Sequence, residues 1–457
     1  MLDRIGHRVR GTARSRFARR LALIAVLGLG LRLVYILLLS HDLRSTGDSD
    51  YFYVLGGLIA HGHGFSDSLV YQVSGVLVPT ALHPPLFPLV LAAAAKLGIA
   101  SYLAQRVVVA VIGTGTIVLV GLIGRRAGGS ERVGLIAAGL AAVYPMLIAA
   151  DGAVMSETLF GLCLAWALLA AYRLRERPGV GRAAVLGAAI ALTSLARAEA
   201  LLLLPLLALP LALRPRAGAG ARLLAAGAAC FVLIAPWTVR NAVVFHSFVP
   251  ISNNSGTLIA GANCGRTYHG PATGRWLIEC VAETPGGTPL ANEATSAAAF
   301  RRHGLSYAAH HAGRLPLVEA VRLLRTASLY GIGWHVRNAE GRQEGMTIAG
   351  FVCFYLLLPL GVAGAVLLRR RREPLFILAS PVALAIAITL VGYGEPRFRH
   401  GAELSLVVLA AVAVDAWLRQ RAPAAGGTAG AGSATASPSS GALPTSRLSP
   451  SAGRSTK

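Results

Sequence analysis

What most constrains this chain is a succession of apolar runs separated by clusters of arginine. Stretches 21–40, 83–99, 106–124, 132–150, 157–174, 183–197, 199–213, 222–240, 348–368, 374–393 and 402–418 carry almost no charge. A helix of about 20 apolar residues crosses the roughly 30 Å hydrocarbon core of a bilayer. Such a helix also satisfies its own backbone polar groups where no water can. The expected fold class is therefore an all-α polytopic membrane protein. Composition agrees, since 54% of residues are hydrophobic and 14% charged, against about a quarter charged in soluble domains. A formal charge of +23 would suit a nucleic-acid binder if it were gathered on one basic face. Here the arginines stand in short clusters between apolar runs, so membrane topology accounts for them and no nucleic-acid partner is expected.

If all of these stretches crossed, Arg125, Arg126, Arg132, Arg173, Arg175, Arg177, Arg182 and the run Arg369 to Arg372 would face outward. That inverts the preference of basic loops for the cytoplasm. Segment 83–99 is the one to remove, because it opens with His83-Pro84-Pro85, has Pro88 and ends near Lys96. About ten transmembrane helices remain, with an interfacial or re-entrant helix in the first outer loop and one large outer loop. The expected organisation is a basic cytoplasmic N-terminus at 1–20, with 21–40 a retained first span. A membrane domain follows at 21–240, containing a catalytic first outer loop at 41–105. Then come an outer loop at 241–346, C-terminal membrane helices at 347–418 and a disordered cytoplasmic tail at 419–457. Stretch 183–213 reads as a short hairpin with Arg197 and Glu199 at its outer tip, the alternative being one long span with a buried ion pair that would invert everything downstream.

Function is then sought on the outer side. Asp48 and Asp50, in GDSDYFY, put two carboxylates at the membrane face, although Asp48 could equally be a helix N-cap. The His61-Gly62-His63-Gly64 turn reads as a loop more readily than as a metal site. Further outer polar residues are His83, Arg106, Asp151, Glu157, Arg197, Glu199, Arg240, Asn241, Glu395, Arg397, Arg399, His400 and Glu403. Together they offer carboxylates for base work and guanidinium groups suited to a phosphate. Cys264 and Cys280 are the only thiols outside apolar runs and are expected to form a disulfide in an oxidising compartment. No CxxC or Cys/His zinc spacing occurs. Residues 314–325 have helical periodicity, with a polar face of Glu319, Arg322 and Arg325, and are expected on the outer membrane surface.

The order of motifs resembles the C-type glycosyltransferase superfamily, in particular bacterial relatives of the dolichyl-phosphate-mannose protein mannosyltransferases and of the lipid A aminoarabinose transferase. The resemblance runs through most of 21–418 on GDSDYFY, HPPLFP, MSETLF, LARAEALLLLP, APWTVRN, PISNNSG and YGEPRFRHGAE. It implies a polyprenyl-phosphate sugar donor and transfer of a hexose or pentose to a hydroxyl of a protein, glycolipid or polysaccharide. The expected location is the extracytoplasmic face of the cytoplasmic membrane. By position it implies Asp48 as general base, with Asp50 a rival, and His83 where relatives often have Lys. Arg240, Arg397 and Arg399, with Arg106 and Arg197, are the further expectations for phosphate contact. Glu157 would orient the acceptor or a divalent cation, and no other cofactor is indicated. The alternative is a transporter or flippase for a lipid-linked sugar. It is disfavoured by the lack of an internal repeat, by the absence of charges deep in the spans and by the long outer loop.

Overall fold

The computed structural model describes residues 2–43, 46–285 and 292–421, with side chains from Ser15 onward. The expected tail beyond 421 lies outside the described residues. Residues 1–417 form one compact unit. Among the described residues the regular structure is helical, with one isolated bridge between Ser66 and Pro79.

Six helices are long and apolar enough to span a bilayer: Ser15–Leu39, Tyr102–Gly128, Ser156–Glu176, Ala219–Phe245, Glu344–Arg370 and Pro396–Arg421. A seventh is formed if Glu131–Val143 and Pro145–Asp151 count as one span bent by 60°. The bend falls at Tyr144, because Pro145 lacks a backbone donor and disfavours a helical residue before it. Three of the ten segments read as spans in the sequence are shorter apolar helices, namely Val180–Ala196, Ala198–Ala212 and Leu375–Val391. Arg197 marks the break between the first two, so 183–213 is a pair of short helices. The proline-opened segment forms the helix Leu86–Lys96 of 11 residues, about 17 Å long and too short to cross.

Local chemistry sets these boundaries. Ser101 and Ser130 accept from the backbone N–H groups of Ala104 and Val133 and cap their helices. Gly129 ends Tyr102–Gly128 at φ 69°. Small residues let the next two helices touch: a Cβ on Gly134 would stand 2.6 Å from the Gly121 carbonyl oxygen. Ser156–Glu176 is the innermost span, while Ala219–Phe245 turns Leu224, Phe231, Val232 and Val243 outward, as a lipid-facing helix does.

The basic clusters share one end of the bundle. Arg126 pairs with Glu176, and Arg132 Nε lies 2.9 Å from Asp415 Oδ1. Glu157 stands at the other end of the helix that finishes at Glu176, about 29 Å away along the axis.

The expectation of no charge deep in the spans is corrected. Arg32 Nε bonds Asp151 Oδ2 at 2.6 Å with both side chains buried, and Arg399 Nε bonds Glu403 Oε1 at 2.6 Å. Pairing removes much of the cost of burying these charges.

The long loop carries the disulfide Cys264–Cys280, with Cα atoms 6.0 Å apart and a separation of 16 residues. Replacing both cysteines by serine is expected to lower stability by roughly 3 kcal/mol, read as a fall in thermal midpoint relative to wild type. An unchanged midpoint would contradict a structural role. The helix Leu315–Thr326 forms as expected, but its polar face points inward. Arg322 donates to Glu319 Oε1 at 2.7 Å and to the Leu390 and Ala262 carbonyls, and Arg325 donates to the Thr273 and Pro271 carbonyls. Leu317, Leu323 and Leu324 are the exposed side chains, the arrangement that suits contact with lipid.

Candidate active site

Asp48 is the first residue of the helix Asp48–Ala60 and not its cap; the cap position is Gly47, at φ 58°. That glycine is required, since its φ is left-handed and a Cβ there would meet Glu340 Oε1 at 2.8 Å. With no capping duty, the Asp48 carboxylate turns to Arg397, whose Nη2 lies 2.8 Å from Asp48 Oδ2. His83 Nε2 stands 3.9 Å from Asp48 Oδ1, held by edge contacts with Tyr51 and a tilted contact with Phe52.

Arg397 is the hub. Its Nη1 donates to Glu340 Oε2 at 3.1 Å, its Nη2 donates to Tyr393 Oη at 3.2 Å, and its Nε is 3.9 Å from Glu157 Oε1. Glu157 is buried, and Arg197 Nη1 lies 3.2 Å from it, while Arg197 Nε bonds Glu199 Oε1 at 2.6 Å. The first outer loop, the start of one span, a helix break, the long loop and the turn before the last span thus meet at one point.

These charges set one another's titration. Burial pushes the Asp48 carboxyl up, but Arg397 and His83 outweigh it and hold the group below its ordinary value, so it is an anion near neutral pH. Burial lowers His83, only partly countered by Asp48. His83 is therefore a neutral imidazole near pH 7 and a poor source of charge for a phosphate. Burial raises Glu340 to about 7, Arg397 opposing and Asp48 and Glu157 adding repulsion. A carboxyl raised in the folded state holds its proton more tightly than in the unfolded chain, so its contribution to stability falls as pH rises from about 4.5 towards about 7. Glu340→Gln is expected to flatten the decline of thermal midpoint over that window, and parallel curves for variant and wild type would contradict it.

Of the residues singled out in the sequence, Asp48, His83, Glu157, Arg197 and Arg397 converge. Asp50 lies one helical step away and makes no ion pair among the described residues. Arg106, Arg240 and Arg399 lie elsewhere, each with carbonyl, hydroxyl or carboxylate partners of its own. Arg106 is fully buried and donates to the Gly152 and Ser40 carbonyls and to Ser40 Oγ. Arg240 donates to the Thr80 and Phe65 carbonyls and lies over the Trp237 ring at 4.9 Å, clamping the first outer loop. Arg399 is held by Glu403, the Thr326 carbonyl and Ser328 Oγ.

Two residues were missed. Glu340 is one. Arg342 is the other, a buried guanidinium with 9% exposure whose side chain has no hydrogen bond or ion pair among the described residues. It lines a pocket together with Glu340, Arg397, Trp276, Trp334 and His335. The only sequence signal was the charge density of AEGRQE just before a span.

Among the described residues no group of three or more His, Cys, Asp or Glu side chains is arranged to hold a metal ion. Asp48 and Glu340 have Arg397 as their near cation, and Glu157 lies nearer to Arg197 than to Arg397.

Residues 82–239 match the family described as dolichyl-phosphate-mannose-protein mannosyltransferase. No curated protein sequence matches significantly. The fold is shared with the oligosaccharyltransferase of Archaeoglobus fulgidus in its apo form, at 16% identity and TM-score 0.52, covering 88% of this chain and 51% of that one. It is shared equally with the archaeal oligosaccharyltransferase AglB of the same organism, in complex with an inhibitory peptide and a dolichol-phosphate, at 13% identity and TM-score 0.53, covering 89% and 51%. The chain thus spans about half the length of these enzymes. A looser match, to ArnT from Cupriavidus metallidurans bound to undecaprenyl phosphate, has 17% identity and TM-score 0.41 over 85% and 77% of the two chains and adds nothing to the comparison.

Proposed function

We propose that this protein is a membrane glycosyltransferase that moves a hexose or pentose from a polyprenyl-phosphate donor to an acceptor hydroxyl at the extracytoplasmic face of the cytoplasmic membrane. The observation that carries the reading is the unpaired, buried Arg342 in a pocket that also holds Arg397, which in turn fixes Asp48. Arg342 Nε is buried without a hydrogen-bond partner among the described residues, which is costly until an acceptor reaches it, and a phosphate oxygen would supply one. Asp48 takes the proton of the acceptor hydroxyl as its oxygen bonds the anomeric carbon. The bond from that carbon to the phosphate oxygen breaks, and its electron pair leaves with the phosphate, where Arg397 and Arg342 offset the growing charge. An apolar groove lined by Leu323, Phe354, Leu358, Val382 and Ile386, with Arg399 and Thr326 at its polar end, supplies a path for the lipid tail.

Arg342→Gln is expected to weaken binding of undecaprenyl phosphate at least tenfold in detergent-solubilised protein, with a thermal midpoint no lower than that of wild type in the absence of ligand. Unchanged affinity would remove Arg342 from the phosphate site. The transporter alternative gains little from the charges in the spans, because Arg32 pairs with Asp151 and Arg399 with Glu403.

A further inference from the structure

The pocket beside Arg397 has a wall that phosphate binding does not use. Trp276 and Trp334 come from the long outer loop, and Tyr393 from the turn before the last span. Trp276 and Tyr393 have ring centroids 6.4 Å apart at 39°. The Trp276 indole is fixed by donating to the Thr257 carbonyl at 2.8 Å, and the Trp334 ring lies under the Arg275 guanidinium at 4.3 Å. These are rigid aromatic surfaces held in place by other groups.

His335 lines the same pocket, its ring 5.2 Å from that of Trp334, 2% exposed and with neither ring nitrogen in a hydrogen bond among the described residues. Its Nδ1 is 3.3 Å from Glu395 Oε1 but outside hydrogen-bond geometry. A buried imidazole with open donor and acceptor capacity is costly until a ligand satisfies it. The pocket is also graded in depth. Met146, Met155 and Phe351 close its buried end, whereas Asn338 is exposed and the two tryptophans are half-buried towards the outer loop.

Flat aromatic faces beside unsatisfied hydrogen-bonding groups match a sugar ring, which is apolar on its C–H faces and carries hydroxyls around its edge. A lipid-linked donor enters from the bilayer, whereas this mouth is built by the extramembrane loop. We propose that the aromatic mouth binds a sugar ring of the acceptor, so that the acceptor is a saccharide, as a glycolipid or polysaccharide, and not a peptide. This inference rests on the transferase reading for its account of the donor, but the pocket can be probed without it.

The first experiment titrates the full-length protein in lipid nanodiscs with methyl glycosides of hexoses and pentoses, following tryptophan fluorescence, with a Ser/Thr peptide in parallel. At least one glycoside is expected to bind, and Trp334→Ala is expected to weaken that binding tenfold or more, with Trp334→Phe recovering most of it. Binding of the peptide but of no glycoside would overturn the inference. The second experiment supplies radiolabelled polyprenyl-phosphate sugar to membranes and fractionates the product. Label in a protease-resistant saccharide fraction is expected, with Trp334→Ala raising the acceptor KM at least tenfold at unchanged donor KM. Label on protein Ser/Thr, or a shift in donor KM instead, would overturn the acceptor assignment while leaving the transferase reading intact. If wild type neither transfers nor hydrolyses any donor, the transferase reading fails, and the glycoside titration still decides the pocket.

Discussion

Asp48→Asn is expected to lower sugar transfer by a factor of about 10² to 10⁴, the range for loss of a positioned general base. The asparagine is nearly isosteric, so the Asp48–Ala60 helix and the pocket should persist, but the amide cannot accept the acceptor's proton. Asp50→Asn, one residue beyond Ser49 on the same helix, is expected to stay within about threefold of wild type, because Asp50 has no ion pair among the described residues. Initial rates at equal expression, with melting curves as a control for folding, check both. An asparagine at position 48 that retains activity would move the base elsewhere.

Arg397→Ala is expected to be more damaging, because it acts on folding as well as chemistry. Asp48, Glu157 and Glu340 all lie within 4 Å of this one guanidinium. Removing one partner of a buried ion pair costs about 3–5 kcal/mol, and here three acids are left facing one another. The variant should melt well below wild type and show no transfer. Arg397→Lys separates the two effects: a point charge keeps the acids apart and the fold near native, but it cannot reproduce the fork that reaches Asp48, Glu340 and Tyr393 together. Its transfer is expected to fall at least a hundredfold with a thermal midpoint close to wild type. A Lys variant with native activity would mean that charge alone suffices at this position.

Much of this architecture was legible in the sequence, and the parts that were not share a cause. Apolar length located the spans, and the prolines around 84–88 marked the segment that stays short. The two loop cysteines named their own disulfide. Asp48 and Arg397 stood out because each lies beside a span end in a motif the family resemblance picks out. What the sequence could not reveal was which arginines are free. A guanidinium has five donors, and whether they are consumed depends on carbonyls brought in from far along the chain. Ser40 and Gly152 occupy Arg106, and Thr80 and Phe65 occupy Arg240. Arg342 attracts no notice in the sequence, yet it is the guanidinium left buried without a partner among the described residues. The Leu315–Thr326 helix teaches the same lesson: its periodicity gave the amphipathic faces, but only the carbonyls of Ala262, Thr273 and Leu390 show that the arginine face turns inward.

The most direct test of the central claim is transfer of radiolabelled sugar from a panel of polyprenyl-phosphate sugars into membrane acceptors by wild type, Asp48→Asn and Asp50→Asn at equal expression. Transfer from at least one donor by wild type and by Asp50→Asn, with loss of about 10² or more in Asp48→Asn, is the expected result. Transfer that survives in Asp48→Asn, or its absence from wild type with every donor, would contradict the account.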